Sequence, residues 1–273
     1  MEEKYSVLMS VYYKEKPKYL EESILSMLHQ TIPPSDFVIV CDGMLTPKLE
    51  EVLDDAQSTN PQLFQIIRLK ERRGLGRALN VGLRRCRYEL VARMDSDDIS
   101  RKRRCEMQLP VFENPEIAIV GGTVWEFEGS RNHLKARRVM PERPEEIQSF
   151  ARRRNPFNHP AVMYRKSAVQ RAGGYRSCTY FEDYDLWTRM LSRGEKGYNV
   201  QEPVLYIRAG EELYQRRGGM DYARRAIVFR YSLYRRGFSR WNDFLISAGG
   251  QFAVCLLPNG FRKEIYAKLL RKE

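Results

Sequence analysis

The 273-residue chain is poor in cysteine, and its five cysteines, Cys41, Cys86, Cys105, Cys178 and Cys255, are odd in number and widely scattered. No pair has Cys-x-x-Cys spacing, so neither a disulfide framework nor a zinc knuckle is expected. Reduced thiols in a cytoplasmic compartment fit best. The start of the chain lacks a secretory signal: Met1-Glu2-Glu3-Lys4 leads straight into a short apolar strand, with no basic segment ahead of a long apolar core. A dinucleotide fingerprint is missing too. Arg73-Gly74-Leu75-Gly76-Arg77 begins a Gly-x-Gly-x-x-Gly pattern, but Leu79 stands where its last glycine belongs, which excludes a nicotinamide cofactor. Spanning a bilayer takes roughly 20 apolar residues. The charge-free stretch 244–261 falls short of that and is interrupted by Gly249, Gly250, Gln251 and Pro258. It leaves two readings, a helix lying in the membrane interface and an ordinary core-packed helix.

What is present is globular: 42% hydrophobic and 11% aromatic residues, enough for one large α/β domain or for one domain with an appendage. The formal net charge is +12, and residues 208–273 hold 14 Lys/Arg against 6 Asp/Glu. Such a basic tail implies an anionic partner, namely nucleic acid, anionic lipid or a phosphorylated substrate, unless it is only a solvated helix face. Short apolar runs at 6–11, 37–40, 64–69 and 90–94 read as strands, separated by helical patterns at 19–29, 47–53 and 75–86. This alternation predicts βαβ units and a mostly parallel sheet, whose ligands bind beyond the carboxyl ends of the strands. Later the pattern is mixed: a helix over 102–112, strands at 117–122, 124–127, 134–139, 161–164 and 204–208, and helices at 144–153, 167–172 and 182–193. Three helices close the chain at 220–235, 241–257 and 261–271.

The fourth predicted strand runs into Asp95-Ser96-Asp97-Asp98. In extended backbone Asp95 and Asp97 share one side and Asp98 takes the other. Carboxylates held this close repel unless a cation lies between them, and oxygen ligands favour Mg²⁺ or Mn²⁺. The competing reading, that one aspartate caps the next helix, needs only one aspartate. Two further clusters are ambiguous on their own. Arg73 and Arg77 flank a helix start that could present N–H groups to a phosphate, or could be a flexible turn. Glu182, Asp183 and Asp185 open another helix, where acids favour the macrodipole and where a general base could also stand.

Together, Asp42 after the second strand, the Asp-x-Asp after the fourth and the later Glu182-Asp183 fall in a recognisable order. Ser10-Val11-Tyr12, Leu75-Gly76-Arg77-Ala78-Leu79-Asn80, Asn158-His159-Pro160 and Gly173-Gly174-Tyr175 support it. From about Ser6 to Arg208 the chain resembles the family 2 inverting glycosyltransferases, above all the bacterial members that extend polysaccharide repeat units on a lipid carrier. The resemblance implies an α/β chain with the GT-A nucleotide-sugar-binding fold, a central mostly parallel sheet and a helical C-terminal extension. Residues 1–208 would form the transferase domain, with a nucleotide-binding half to residue 100 and an acceptor half after it. Residues 209–273 would be a basic extension.

Residue by residue, the resemblance places Asp42, Val11 and Tyr12 at the uracil or ribose of a UDP-sugar, and Asp95 at the ribose. Asp97 would hold Mn²⁺ or Mg²⁺ at the diphosphate, with Ser96 and Asp98 beside the donor and Arg73 and Arg77 as phosphate contacts. Asp183 would be the catalytic base, with Asp185 as its rival, and His159, Glu182 and Trp187 would shape the acceptor site. The implied reaction moves a hexose such as galactose or glucose to a hydroxyl of a lipid-linked glycan by single displacement. The implied place is the cytoplasm, on the inner face of the cell membrane. A sugar-nucleotide pyrophosphorylase would carry a glycine-rich phosphate loop after the first strand, where Ser10-Val11-Tyr12-Tyr13-Lys14 has no glycine. A nucleic-acid-binding protein would fit the charge, but no helix-turn-helix, zinc or ribonucleoprotein signature is present.

Overall fold

The protein is described by a computed structural model covering residues 4–209 and 219–256. The helix expected over 261–271 lies outside these residues. The first half alternates as its sequence predicts: β1 (Tyr5–Val11), α1 (Pro17–Leu28), β2 (Asp36–Cys41), α2 (Pro47–Thr59), β3 (Phe64–Arg68), α3 (Leu75–Arg85) and β4 (Leu90–Asp95). The order β3-β2-β1-β4 is parallel throughout. Both faces are covered, so the strands are apolar on both sides. Leu8 joins the core under α3, while its neighbours Val7 and Met9 pack with Leu20 and Ile24 of α1 on the opposite face. Gly82 allows α3 its close approach, since a Cβ there would come within 2.4 Å of Leu8 Cδ1 and 2.8 Å of Val40 Cγ2.

Beyond β4 the sheet becomes mixed. It continues through β8 (Met163–Arg165), β6 (Ile117–Phe127), β9 (Lys196–Arg208) and the two-residue β5 (Ile99–Ser100), with β7 (Leu134–Arg138) paired to β6. The two strands expected at 117–122 and 124–127 are one strand, because Gly122-Thr123 is a bulge in its pairing with β9 and not a break. The helix expected over 102–112 is a short α4 (Arg104–Gln108) followed by a 3₁₀ turn at Pro110. That change follows from proline, which cannot donate to the preceding turn.

The remaining helices are α5 (Pro144–Phe150), α6 (Lys166–Arg171), α7 (Glu182–Ser192), α8 (Gly219–Arg235) and α9 (Trp241–Leu256). Of the last two, α8 packs on α7 and shares its core, and α9 packs on α8. Phe229 stacks on Phe181 at 4.7 Å between ring centres, and Arg236 reaches Asp185 at 3.0 Å. Among the described residues no helix is long and apolar enough to cross a membrane.

Candidate active site

The carboxyl ends of β1, β2 and β4 meet at one edge. Ser10 is in register with Asp95 and Val11 with Cys41, and the Asp42 N–H donates to the Val11 carbonyl at 2.8 Å. Val11 therefore contributes through its backbone, its side chain being fully buried. The buried Asp42 carboxylate accepts hydrogen bonds from the backbone N–H groups of Arg73 (2.7 Å) and Gly74 (2.9 Å). It thus pins the loop that opens α3. The Arg73 side chain turns outward to Glu71 at 3.1 Å, and Arg77 is exposed on the first turn of α3. The guanidinium that closes over Tyr12, 5.2 Å from its ring centre and 4.0 Å from Asp42, belongs to Arg72. Sequence reasoning passed Arg72 over because it lies just outside the glycine-flanked pair.

The three aspartates behave differently from the extended-strand expectation. β4 ends at Asp95 and the chain bends at Ser96 and Asp97, so alternation stops. Asp98 consequently joins its neighbours instead of facing away: one carboxylate oxygen from each of Asp95, Asp97 and Asp98 lies within 4.8 Å of the others. Burial, followed by the charges of Asp95 and Glu15, pushes the Asp97 carboxyl up to about 7. Asp98 is held well above the usual carboxylate range, first by burial and then by Asp97 and Asp95. Such mutual repulsion is what a divalent cation relieves, so the donor set fits a hard metal ion. Asp95 is also ion-paired to the buried Arg93.

Two neighbours of this cluster were missed. Glu15, from the loop after β1, accepts a hydrogen bond from the Ser96 hydroxyl at 2.6 Å, so Ser96 acts by holding a fourth carboxylate beside the cluster. Arg208, at the end of β9, donates from its backbone N–H to Asp98 (3.0 Å) and from Nε to the Asp97 carbonyl (2.6 Å). Its guanidinium lies 3.8 Å from the Tyr19 ring centre and pairs with Glu22. No local pattern marks Arg208, because its partners are more than a hundred residues away in sequence.

The acceptor-side acids start α7. Asp183 accepts from the Asn155 amide at 2.6 Å and from the Tyr184 N–H at 2.8 Å. Glu182 is half-buried, its carboxyl raised first by burial, and its side chain lies close to Gly76 at the start of α3. Asp185 is corrected from rival base to structural anchor, because Arg189 (2.8 Å) and Arg236 (3.0 Å) hold its two oxygens. Trp187 is corrected as well. It is fully buried, packed between Phe157, His159, Tyr164 and Tyr175, so it supports the site from beneath and cannot touch an acceptor. His159 Nε2 lies 3.1 Å from the Tyr175 hydroxyl, and burial, aided by Arg93, holds the imidazole well below its usual range.

Tyr175 links the two halves. Asn80 of α3 holds its backbone at both ends, at 2.8 Å (Tyr175 N–H to Oδ1) and 2.7 Å (Nδ2 to the Tyr175 carbonyl). Its phenol, raised chiefly by burial and partly offset by Arg93, also feels the charges of Asp183 and Asp95. The charges of Asp95 in the cluster and of Asp183 on α7 are thus both felt at one side chain.

Known proteins are similar to this chain in sequence and in fold. Residues 6–175 match the description "Glycosyl transferase family 2". The UDP-Gal:alpha-D-GlcNAc-diphosphoundecaprenol beta-1,3-galactosyltransferase of Escherichia coli is 37% identical over 271 residues, covering 98% of this chain and 97% of that protein. The amylovoran biosynthesis glycosyltransferase AmsE of Erwinia amylovora is 38% identical over 241 residues, covering 86% and 89%. Among solved structures, the mannosyltransferase PcManGT of Pyrobaculum calidifontis, in complex with GDP-Man and Mn²⁺, superposes with a TM-score of 0.65 at 18% identity. That match covers 97% of this chain and 73% of the other, and it identifies the fold as GT-A. The chain belongs to glycosyl transferase family 2 and is a glycosyltransferase.

Proposed function

We propose that the protein is an inverting hexosyltransferase that moves a sugar from a UDP-sugar to a hydroxyl of a glycan carried on a lipid diphosphate, in the assembly of a bacterial surface polysaccharide. The observation that carries this reading is the convergence of Asp95, Asp97 and Asp98 beyond β4. The E. coli relative's name supports the UDP-sugar donor and the diphosphate-linked acceptor.

Tyr12, under Arg72, faces the base and the loop pinned by Asp42 contacts the ribose and phosphates, with Arg73 and Arg77 free to swing toward them. Asp95 binds the ribose. Asp97, with Asp95 and Asp98 beside it, holds Mn²⁺ or Mg²⁺, which when bound neutralises charge on the leaving diphosphate. Asp183 takes the proton from the acceptor hydroxyl as that oxygen attacks the anomeric carbon from the face opposite the diphosphate, inverting its configuration. Asn155 fixes one Asp183 oxygen and leaves the other oriented by the Tyr184 N–H. Glu182 borders the acceptor, while His159 acts through Tyr175.

Residues 1–208 form the transferase proper in this reading, and the basic extension 209–273 seats it on the inner face of the membrane. Trp241, Leu245, Ile246 and Phe252 of α9 are exposed, next to the arginines of α8, as an interfacial helix requires. A panel of UDP- and GDP-sugars with Mn²⁺ tests the function, scored by nucleotide release with and without a lipid-diphosphate acceptor. Acceptor-dependent UDP release is expected. Release of pyrophosphate in place of UDP overturns it.

A further inference from the structure

A cleft of about 860 Å³ lies between α5, with the segment that follows it to Arg154, and the start of α9. Four arginines line it: Arg152, Arg153, Arg154 and Arg240. The acids on its walls are largely committed. Asp243 pairs with Arg153 at 2.6 Å and accepts from the Arg240 N–H at 3.1 Å, and Glu146 accepts from the Arg143 N–H at 3.3 Å and the Glu142 N–H at 3.2 Å. Glu145 is the remaining acid of the lining.

The cleft is strapped to the proposed base. Asn155, the residue after Arg154, donates to Asp183, and the Tyr184 hydroxyl donates to the Ala151 carbonyl at 2.8 Å. The same helix that supplies Asn242 and Asp243 to the cleft, α9, also carries exposed Trp241, Leu245 and Ile246. The proposed base Asp183 is thus held by the residue next to Arg154, and exposed apolar side chains stand on α9.

We infer that this arginine-lined cleft seats the diphosphate of the acceptor. The inference rests on the proposed lipid-diphosphate acceptor and names its binding site. Guanidinium groups bind phosphate oxygens through paired N–H donors, and several are needed for a group with two phosphates. The acceptor's sugar then extends toward Asp183 and its lipid along α9. None of Asp95, Asp97 or Asp98 lines the cleft, so the donor's diphosphate has a separate seat.

The test uses the full chain with the double substitution Arg152→Gln and Arg240→Gln, which spares the Arg153–Asp243 pair, and Arg235→Gln as an exposed control outside the cleft. The first measurement is binding of inorganic pyrophosphate in EDTA, where the metal-dependent donor seat is silent. The second is KM for a GlcNAc-diphosphate-alkyl acceptor. Losing two charge-assisted contacts is expected to weaken both about tenfold or more, leaving KM for the UDP-sugar and kcat within about twofold. The control behaves as the unmodified chain. Unchanged pyrophosphate binding and acceptor KM overturn the inference. So does loss of binding to phosphatidylglycerol vesicles with pyrophosphate binding intact, which would make the cleft a headgroup seat. If no diphosphate acceptor is used at all, the proposed function fails, and the pyrophosphate measurement still decides the cleft.

Discussion

The acids at the end of β4 and those at the start of α7 are built on opposite principles. At the end of β4, three carboxylates are crowded together, and burial raises the pKa of Asp97 and of Asp98. At the start of α7 the acids are separated by the helix and each is placed differently. Asp183 is held by Asn155, Asp185 is locked between two arginines and Glu182 faces α3. Crowding that raises carboxyl groups despite Arg93 and the Arg208 N–H marks a cation site, whereas individual partnering marks one poised group among structural ones. In the proposed function the crowded group serves the donor and the partnered group the acceptor.

The largest expected effect breaks the acceptor side. Asp183→Asn keeps the shape and the hydrogen bond from Tyr184 but removes the proton acceptor. Turnover should fall by about 10²–10⁴-fold, the usual contribution of a general base. KM for the UDP-sugar should stay within about twofold, measured by steady-state nucleotide release. Normal turnover in this variant would remove Asp183 from the mechanism. Asp97→Ala strikes the donor side instead. It should cost on the order of 10²–10³-fold in turnover, comparable to losing one electrostatic stabiliser, and should also weaken Mn²⁺ binding. Only this second variant changes Mn²⁺ binding, followed by calorimetry or by quenching of Trp fluorescence.

Asp185→Asn sharpens the contrast within α7. The buried pair with Arg189 and the tie to Arg236 are lost, and breaking such a pair costs about 3 kcal/mol of stability. Turnover per folded molecule should stay within about twofold, because Asp185 only anchors α8 against α7. Urea denaturation together with active-site titration checks both halves of this statement. A turnover loss matching that of Asp183→Asn would return Asp185 to the role of base.

The parallel half of the fold was legible because its code is local. Apolar runs alternate with helical spacing, and the ends of β1 to β4 are marked by Gly, Pro or Asp within a few residues. The 95–98 cluster was legible as a cation site for the same reason. Its geometry was not, since one bend after Asp95 reverses the side on which Asp98 lies, and period-two reasoning holds only while the strand lasts. Trp187 shows a second limit. An aromatic beside acids at a helix start looks like a sugar platform, yet the helix turns that face into the core. Arg208, Glu15 and the cleft at Arg152 and Arg240 escaped because each depends on contacts between segments far apart in sequence.

The smallest expected effect concerns protons at the crowded cluster, and its sign follows from the direction of the shift. Asp97 titrates at about 7 in the folded chain, against an ordinary value of 3.8. Between these values the folded state holds a proton that the unfolded state has released. Stability of the metal-free protein therefore falls as pH rises through this window, with the loss complete above about 7. Asp98, raised by the same causes, acts in the same direction. Asp97→Asn removes the main titrating charge, so its stability relative to the unmodified chain should increase from pH 4 to pH 7 and level off beyond. Melting temperatures in EDTA across this range measure the difference. Parallel pH profiles for the two proteins would show that the carboxylates do not repel. Mn²⁺ should reverse the trend in the unmodified chain, because the cation competes with protons for the same oxygens and binds more tightly as pH rises.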